Sequence, residues 1–240
     1  MDLAWLAGAC VLAVASFVFG LTGFGIGLVA LSLLPFLLPP ATIVPLITIY
    51  CGAFALVMTV QLRREVLLLP LGALLLGSLL GTPAGVWLLT TCSPSVLRRL
   101  IGAILVAVVL IEWCGRYPEK LSGYAWALGT GGCAGLLGGA MATPGPPVIL
   151  YALGQGWSPR VMKAMLQAFF LVNQAFILVS LWWAGLLTRE VTWLAISYAL
   201  PAGLGVFAGM LVFEYIDQRR FRRLMFSLLF VLGLVLGVRG

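Results

Sequence analysis

The sequence predicts an all-α polytopic membrane protein built from two homologous repeats, the second inverted relative to the first. Three observations carry that prediction. Of the 240 residues, 62% are hydrophobic and only 9% charged, with a mean hydropathy of +1.15, whereas water-soluble domains sit near half apolar and a quarter charged. Apolar runs of about twenty residues, the length a bilayer-crossing helix needs, recur from one end to the other. Two of the runs are short, each follows a break rich in Gly or Pro, and each is second in its half of the chain.

Taken in order, the first half holds apolar segments at about 3–19, 27–39, 42–61, 66–90 and 98–115. The second half holds segments at about 121–140, 147–156, 160–185, 191–214 and 222–238. The whole of 1–240 then reads as one transmembrane domain, with repeat 1 at about 3–115 and repeat 2 at about 121–238. The opening stretch "MDLAWLAGACVLAVASFVFG" has no positively charged start and carries Asp2, which favours a first membrane helix over a signal peptide. Eight of the ten segments are long enough to cross a hydrocarbon core of ~30 Å at ~1.5 Å per residue. The short ones, "LVALSLLPFLLPP" and "PVILYALGQG", are not, as straight helices, and either cross in broken form or re-enter.

The case for duplication rests on more than the breaks. Residues 81–111 align without gaps on 205–235, pairing Gly81 with Gly205, Gly85 with Gly209, and Arg98-Arg99-Leu100 with Arg222-Arg223-Leu224. The breaks "GLTGFGIG" (20–27) and "GAMATPGPP" (139–147) fall about 119 residues apart. If the short segments cross, each half has five crossings and the second is inverted; if they re-enter, each has four and the halves are parallel. Loop charge separates the two, because Lys and Arg favour the cytoplasmic side. Five crossings put Arg63, Arg64, Arg116, Lys120, Arg160, Lys163, Arg219, Arg220, Arg222 and Arg223 on one side, against Arg98, Arg99, Arg189 and Arg239 on the other. Four crossings share the cations almost evenly, so the inverted arrangement is favoured, with both termini outside.

Several residue classes have ready structural roles. Trp113, Tyr117, Trp157, Trp182, Trp183 and Tyr215 stand at segment ends, as interfacial aromatic belts do. Gly77, Gly81 and Gly85, like Gly205 and Gly209, recur every four residues on one helix face and suit close helix packing. The five cysteines are isolated and there is no histidine, so no metal ligand set, disulfide framework or cofactor site is read from the chain. The net charge of +7 lies in short loops without a basic face, which argues against nucleic acid.

The breaks are where chemistry is expected. Non-helical backbone at membrane depth must face protein or a wet cavity, and paired broken segments in corresponding positions of two repeats point to a transporter's binding site. A helix starting near Gly27 and another near Pro147 would present unpaired N–H groups and a positive dipole end to an anion. Pro146 and Pro147 fit a first helical turn, and Thr22 and Thr143 could add hydroxyl donors. Thr48 and Gln167, 119 residues apart, fall at matching repeat positions and could flank the site; Asn173 and Gln174 could line it or hydrogen-bond a neighbouring helix. No carboxylate or histidine of the kind proton-driven carriers keep is evident at depth; Glu112 and Glu214 sit near segment ends.

The glycine-rich first break, the segment "GGAMATPGPPVILY" and the duplicated plan together resemble the TauE/SafE (sulfite exporter) family of membrane permeases, over essentially the whole chain. The resemblance implies a multi-pass carrier of the bacterial inner membrane, exporting sulfite or an organosulfur anion such as sulfoacetate, with the bilayer and that anion as its partners. It implies that Gly20, Thr22, Gly23, Gly25 and Gly27, with Gly139, Thr143, Gly145, Pro146 and Pro147, line the path. Members of that family with more consecutive glycines in the first break differ from "GLTGFGIG" here. Three rival classes are weaker. "TGFG" (22–25) looks like a carbonyl-lined potassium filter, but the second break offers no repetition of it. An intramembrane enzyme lacks a base to activate a nucleophile. A scaffold that transports nothing is the remaining alternative.

Overall fold

The computed structural model describes residues 3–93 and 123–213, with isolated positions at 95–96, 99, 103, 106, 110, 227, 230–231 and 234. The segments expected at 98–115 and 222–238 therefore lie outside the described residues apart from those positions. So do Arg98, Leu100, Glu112, Trp113, Arg116, Tyr117, Lys120, Glu214, Tyr215, Arg219, Arg220, Arg222, Arg223, Leu224 and Arg239.

Nine α-helices are described, in the order α1 (Leu3–Thr22), α2 (Ile26–Leu33), α3 (Pro40–Leu62), α4 (Leu68–Thr91), α5 (Tyr124–Met141), α6 (Gly145–Gly154), α7 (Pro159–Trp183), α8 (Arg189–Ser197) and α9 (Ala199–Phe213). Among the described residues there is no strand. Caps and prolines set the boundaries. Pro40 and Pro159 open α3 and α7, where a missing N–H costs little. Ser158 and Thr188 cap α7 and α8 by accepting from Val161 N and Val191 N.

Four helical segments are long and apolar enough to cross a bilayer alone: Trp5–Thr22, Pro40–Glu65 (α3 and the turn after it), Leu68–Thr91 and Arg160–Trp183. The single segment expected at 191–214 is instead a pair, α8 and α9, bent by 52° and a fifth crossing if taken as one. Pro201 explains the bend, since it cannot donate to the Ser197 carbonyl one turn back. The Tyr50 hydroxyl donates to the Ala195 carbonyl beside this bend, at 2.6 Å. Leu68, Leu69, Leu80, Ile196, Leu200 and Leu211 are exposed along the outside, as a lipid-facing surface requires.

Two glycine seams dominate the packing. In one, α4 lies on α5 so closely that a Cβ on Gly77, Gly81 or Gly85 would strike the carbonyl of Leu128, Gly132 or Leu136. In return, Gly131, Gly135 and Gly139 sit against the carbonyls of Leu74, Ser78 and Thr82. In the other, α1 lies on α9: Gly205 and Gly209 meet the Ala13 and Phe17 carbonyls, and Gly20 meets that of Val206. Such spacing puts glycine Cα hydrogens on carbonyl oxygens, contacts of about 0.5–1 kcal/mol each. The seams correspond residue for residue. Gly81 and Gly205 are aligned partners, and the residues they meet, Gly132 and Ala13, are 119 apart.

Between the seams run α3 and α7, antiparallel. The Glu65 carboxylate, just past α3, pairs with Arg160 at the start of α7 at 3.4 Å, while Gly52, in mid-α3, lies over Gln174 further along α7.

Candidate functional site

The first break is a turn between α1 and α2. Gly23 (φ 80°) and Gly25 (φ 95°) both occupy the left-handed region, which residues with a Cβ rarely adopt. The Thr22 hydroxyl is engaged inside this turn: it accepts from Phe24 N at 2.9 Å and donates to Phe24 O at 2.5 Å. These bonds hold the turn together from within. The second break joins α5 to α6 through Ala142, which is left-handed (φ 51°) at the position 119 residues after Gly23. Among the described residues Ala142 is the one non-glycine with positive φ, and it is the left-handed cap that closes α5.

The two breaks touch. A Cβ on Gly27 would run into the Ala142 carbonyl and come within 2.9 Å of Thr143 Cγ2. One on Gly145 would stand 3.5 Å from both Phe24 Cβ and Phe170 Cζ. Between the breaks is a small cavity with about 20 Å³ of internal volume. Phe24, Gly25, Ile26 and Gly27 line it from the first break, and Thr143, Pro144, Gly145 and Pro146 from the second. Phe19, Cys51 and Phe170 close its sides. Its interior is narrow, with room on the order of one water.

The lining has no acidic side chain to repel an anion and no basic one to neutralise it. What remains is backbone. The first N–H groups of a helix have no partner within it, and the residues that start α2, Ile26, Gly27 and Leu28, are on the cavity lining. The start of α6 is poorer in donors, because Pro146 and Pro147 have no N–H. The apolar walls would strengthen any hydrogen bond made inside.

α7 is the helix that joins the breaks. Gln167, fully buried, donates from Nε2 to the Gly23 carbonyl at 2.6 Å, and its Oε1 has no protein partner. Phe170 follows on the cavity wall. Asn173 then accepts from the Ser78 hydroxyl on α4, so it does what a helix-bridging amide does. Gln174, also buried, lies beside the Cys51 thiol.

Of the residues expected at the site, the structure therefore brings Gly25, Gly27, Thr143, Gly145 and Pro146 together on one cavity. Gly23 and Gln167 are off the lining and are joined to each other by their hydrogen bond. Gly20 and Gly139 are elsewhere, in the two seams against Val206 and Thr82. Pro147 is in α6 but off the lining. Thr48 returns its hydroxyl to Val44 on its own helix at 2.7 Å, and α3 reaches the cavity through Cys51 instead. Lys163 was not expected there. It belongs to α7, not to a loop, and its stem lies along Gly23, with Cγ 3.5 Å from where a Cβ would be. The sequence signal was its spacing, one helical turn before Gln167.

A family model described as sulfite exporter TauE/SafE matches residues 8–236. No curated protein and no solved structure matches the chain.

Proposed function

This chain belongs to the sulfite exporter TauE/SafE family, and on that premise we propose that it exports sulfite or an organosulfur anion such as sulfoacetate across the bacterial inner membrane. The family is one of multi-pass membrane transporters for sulfite-type anions, not of enzymes. The observation that supports the finer reading is the meeting of the two broken segments around one cavity, with the first residues of α2 on its lining. A sulfite-sized anion suits backbone N–H groups and a helix dipole better than it suits a carboxylate-lined pathway.

The proposed mechanism is alternating access around this cavity. Its narrow interior corresponds to a closed state. The bodies that rock are not simply the two halves. Each seam packs the first helix of one half closely on the fourth of the other, α1 on α9 and α5 on α4. The moving units are therefore the α1–α9 and α4–α5 pairs, working against α3 and α7. The reciprocal seams and the Glu65–Arg160 pair support two inverted repeats: four crossings per half would put those two residues on opposite faces of the membrane.

The test is purified protein in liposomes given a panel of sulfite, thiosulfate, sulfoacetate, sulfate and chloride, with and without a pH gradient. Saturable flux of sulfite or sulfoacetate, exceeding that of chloride, is expected. Absence of any anion flux from folded protein would refute the assignment.

A further inference from the structure

We propose that the arginine groove between the end of α3 and the start of α7 holds the phosphate of an anionic membrane phospholipid. This site is independent of what the protein transports and needs only the membrane spans. The groove has a volume of about 540 Å³ and is lined by residues 60–65 and by Arg160. Its charges are the guanidinium groups of Arg63, Arg64 and Arg160 against the one carboxylate of Glu65. Arg160 meets that carboxylate through Nε at 3.4 Å, with 73% of its side chain still exposed. Arg63 and Arg64 are exposed and have no carboxylate partner among the described residues. Positive charge is therefore in excess in the groove, and all of it is arginine, whose planar fork matches two oxygens of one phosphate.

Position decides between a lipid and a solute. Only Val66 and Leu67 separate the apolar span that ends at Glu65 from the one that begins at Leu68. The short 3₁₀ turn Arg63–Glu65 thus stands at a membrane surface, the level of headgroup phosphates. Leu67 N donates to Met165 Sδ at 3.1 Å, which, with the Glu65–Arg160 pair, holds this turn onto α7. Apolar surface runs on from the groove. Val60, on its lining, is exposed, as are Leu56 and Val57 one turn deeper on α3 and Leu68 and Leu69 at the start of α4. A phospholipid seated by its phosphate on the arginines can lay its acyl chains along these side chains. A free anion would have only exposed charges to hold it, and salt screens those. The bilayer also keeps headgroups at this level in high local concentration, so a weak attraction suffices, on the order of fivefold enrichment per arginine. A phosphate bridging Arg63 or Arg64 to Arg160 would tie the end of α3 to the start of α7 and stabilise the folded form.

The experiment titrates purified protein in a neutral detergent with dioleoyl phosphatidylglycerol, with dioleoyl phosphatidylcholine and with inorganic phosphate, and reads Tm. Phosphatidylglycerol is expected to raise Tm saturably and further than the chain-matched neutral lipid, with the difference shrinking at about 1 M salt. Inorganic phosphate should leave Tm unchanged. Arg63→Gln combined with Arg64→Gln should keep a lipid-free Tm near wild type, since neither side chain has a carboxylate to lose. That variant should need about tenfold or more phosphatidylglycerol for half of the shift. Glu65→Gln, which removes the competing carboxylate, should need less. A double variant that responds to phosphatidylglycerol as wild type does overturns the proposal, as do equal shifts of wild type by the two lipids. A shift by inorganic phosphate as large as that by phosphatidylglycerol gives the groove to a free anion and overturns it too.

Discussion

The side-chain amide of Gln167 donates a 2.6 Å hydrogen bond to the main-chain carbonyl of Gly23, across 144 residues of sequence. The carbonyl belongs to the end of α1, where helix geometry leaves oxygens without partners. In water the solvent would serve; in the membrane interior another part of the chain must. This bond ties the first break to α7 and fixes the height at which α2 begins.

Replacing Gln167 by Met keeps its length and removes the donor. The Gly23 carbonyl is then buried unpaired, at a cost of about 1–3 kcal/mol. The expected result is a Tm several degrees lower in detergent and a loss of anion flux larger than the loss of folded protein. Equal Tm and equal flux would show that the bond holds nothing in place.

Gly145 and Gly27 separate blocking from misfolding. A Cβ on Gly145 meets only ordinary contacts, at 3.5 Å from Phe24 and Phe170, so Gly145→Ala should fold and transport. Gly145→Leu brings more atoms than the one-water interior holds, so Phe24 and Phe170 must give way; folded protein should be recovered with a lower Tm and with flux abolished. Gly27→Ala drives a methyl into the Ala142 carbonyl and should reduce the yield of folded protein itself. Size-exclusion profiles and liposome flux, measured together, read out both. Full flux through Gly145→Leu would remove the cavity from the pathway.

These contrasts also show what could be read from the sequence. Segment positions followed from hydropathy because a lipid-facing helix has no alternative to apolar side chains, and α1, α3, α4 and α7 stand within a few residues of their expected ends. The breaks were visible because Gly23, Gly25, Pro144 and Pro146 forbid a continuous helix. The roles within the breaks were not, since a sequence does not say which way a residue faces. Gly20 and Gly139 share the motifs but face the seams. The Thr22 hydroxyl turns inward on its own loop. Lys163 was hidden for the opposite reason: its charge resembled that of a loop residue, and only the packing of α7 on Gly23 reveals what its stem touches.

The seams predict a sharp position dependence for small substitutions. Gly81→Ala and Gly205→Ala place a methyl on a carbonyl oxygen and should each destabilise by more than about 2 kcal/mol. Gly203, on the same helix as Gly205, has nothing within 4 Å of its Cβ position. Gly203→Ala should be neutral or slightly stabilising, through helix propensity worth about 1 kcal/mol. Thermal unfolding of the three variants checks this, and equal effects at Gly203 and Gly205 would contradict the close approach of α1 and α9.

Tyr50→Phe tests the bend. The variant keeps the ring, which stacks on Phe54 at 5.8 Å, and removes only the donor to Ala195 O. A loss of about 1 kcal/mol is expected, seen as a lower Tm with flux retained.

The inverted arrangement makes its own prediction about accessibility. The pairing of Glu65 with Arg160 sets the end of α3 and the start of α7 at one end of the bundle. α7 is 25 residues long, about 37 Å, so Arg189, beyond its far end, belongs at the opposite face. In a cysteine-free background, Arg63→Cys and Arg160→Cys should therefore react with a membrane-impermeant maleimide from the same side, the cytoplasmic one that Lys and Arg favour. Arg189→Cys should react from the other side. Parallel halves with re-entrant short segments require instead that positions 63 and 160 label from opposite faces. That outcome is incompatible with the ion pair, and it would mean that α2 and α6 dip into the membrane without completing a crossing.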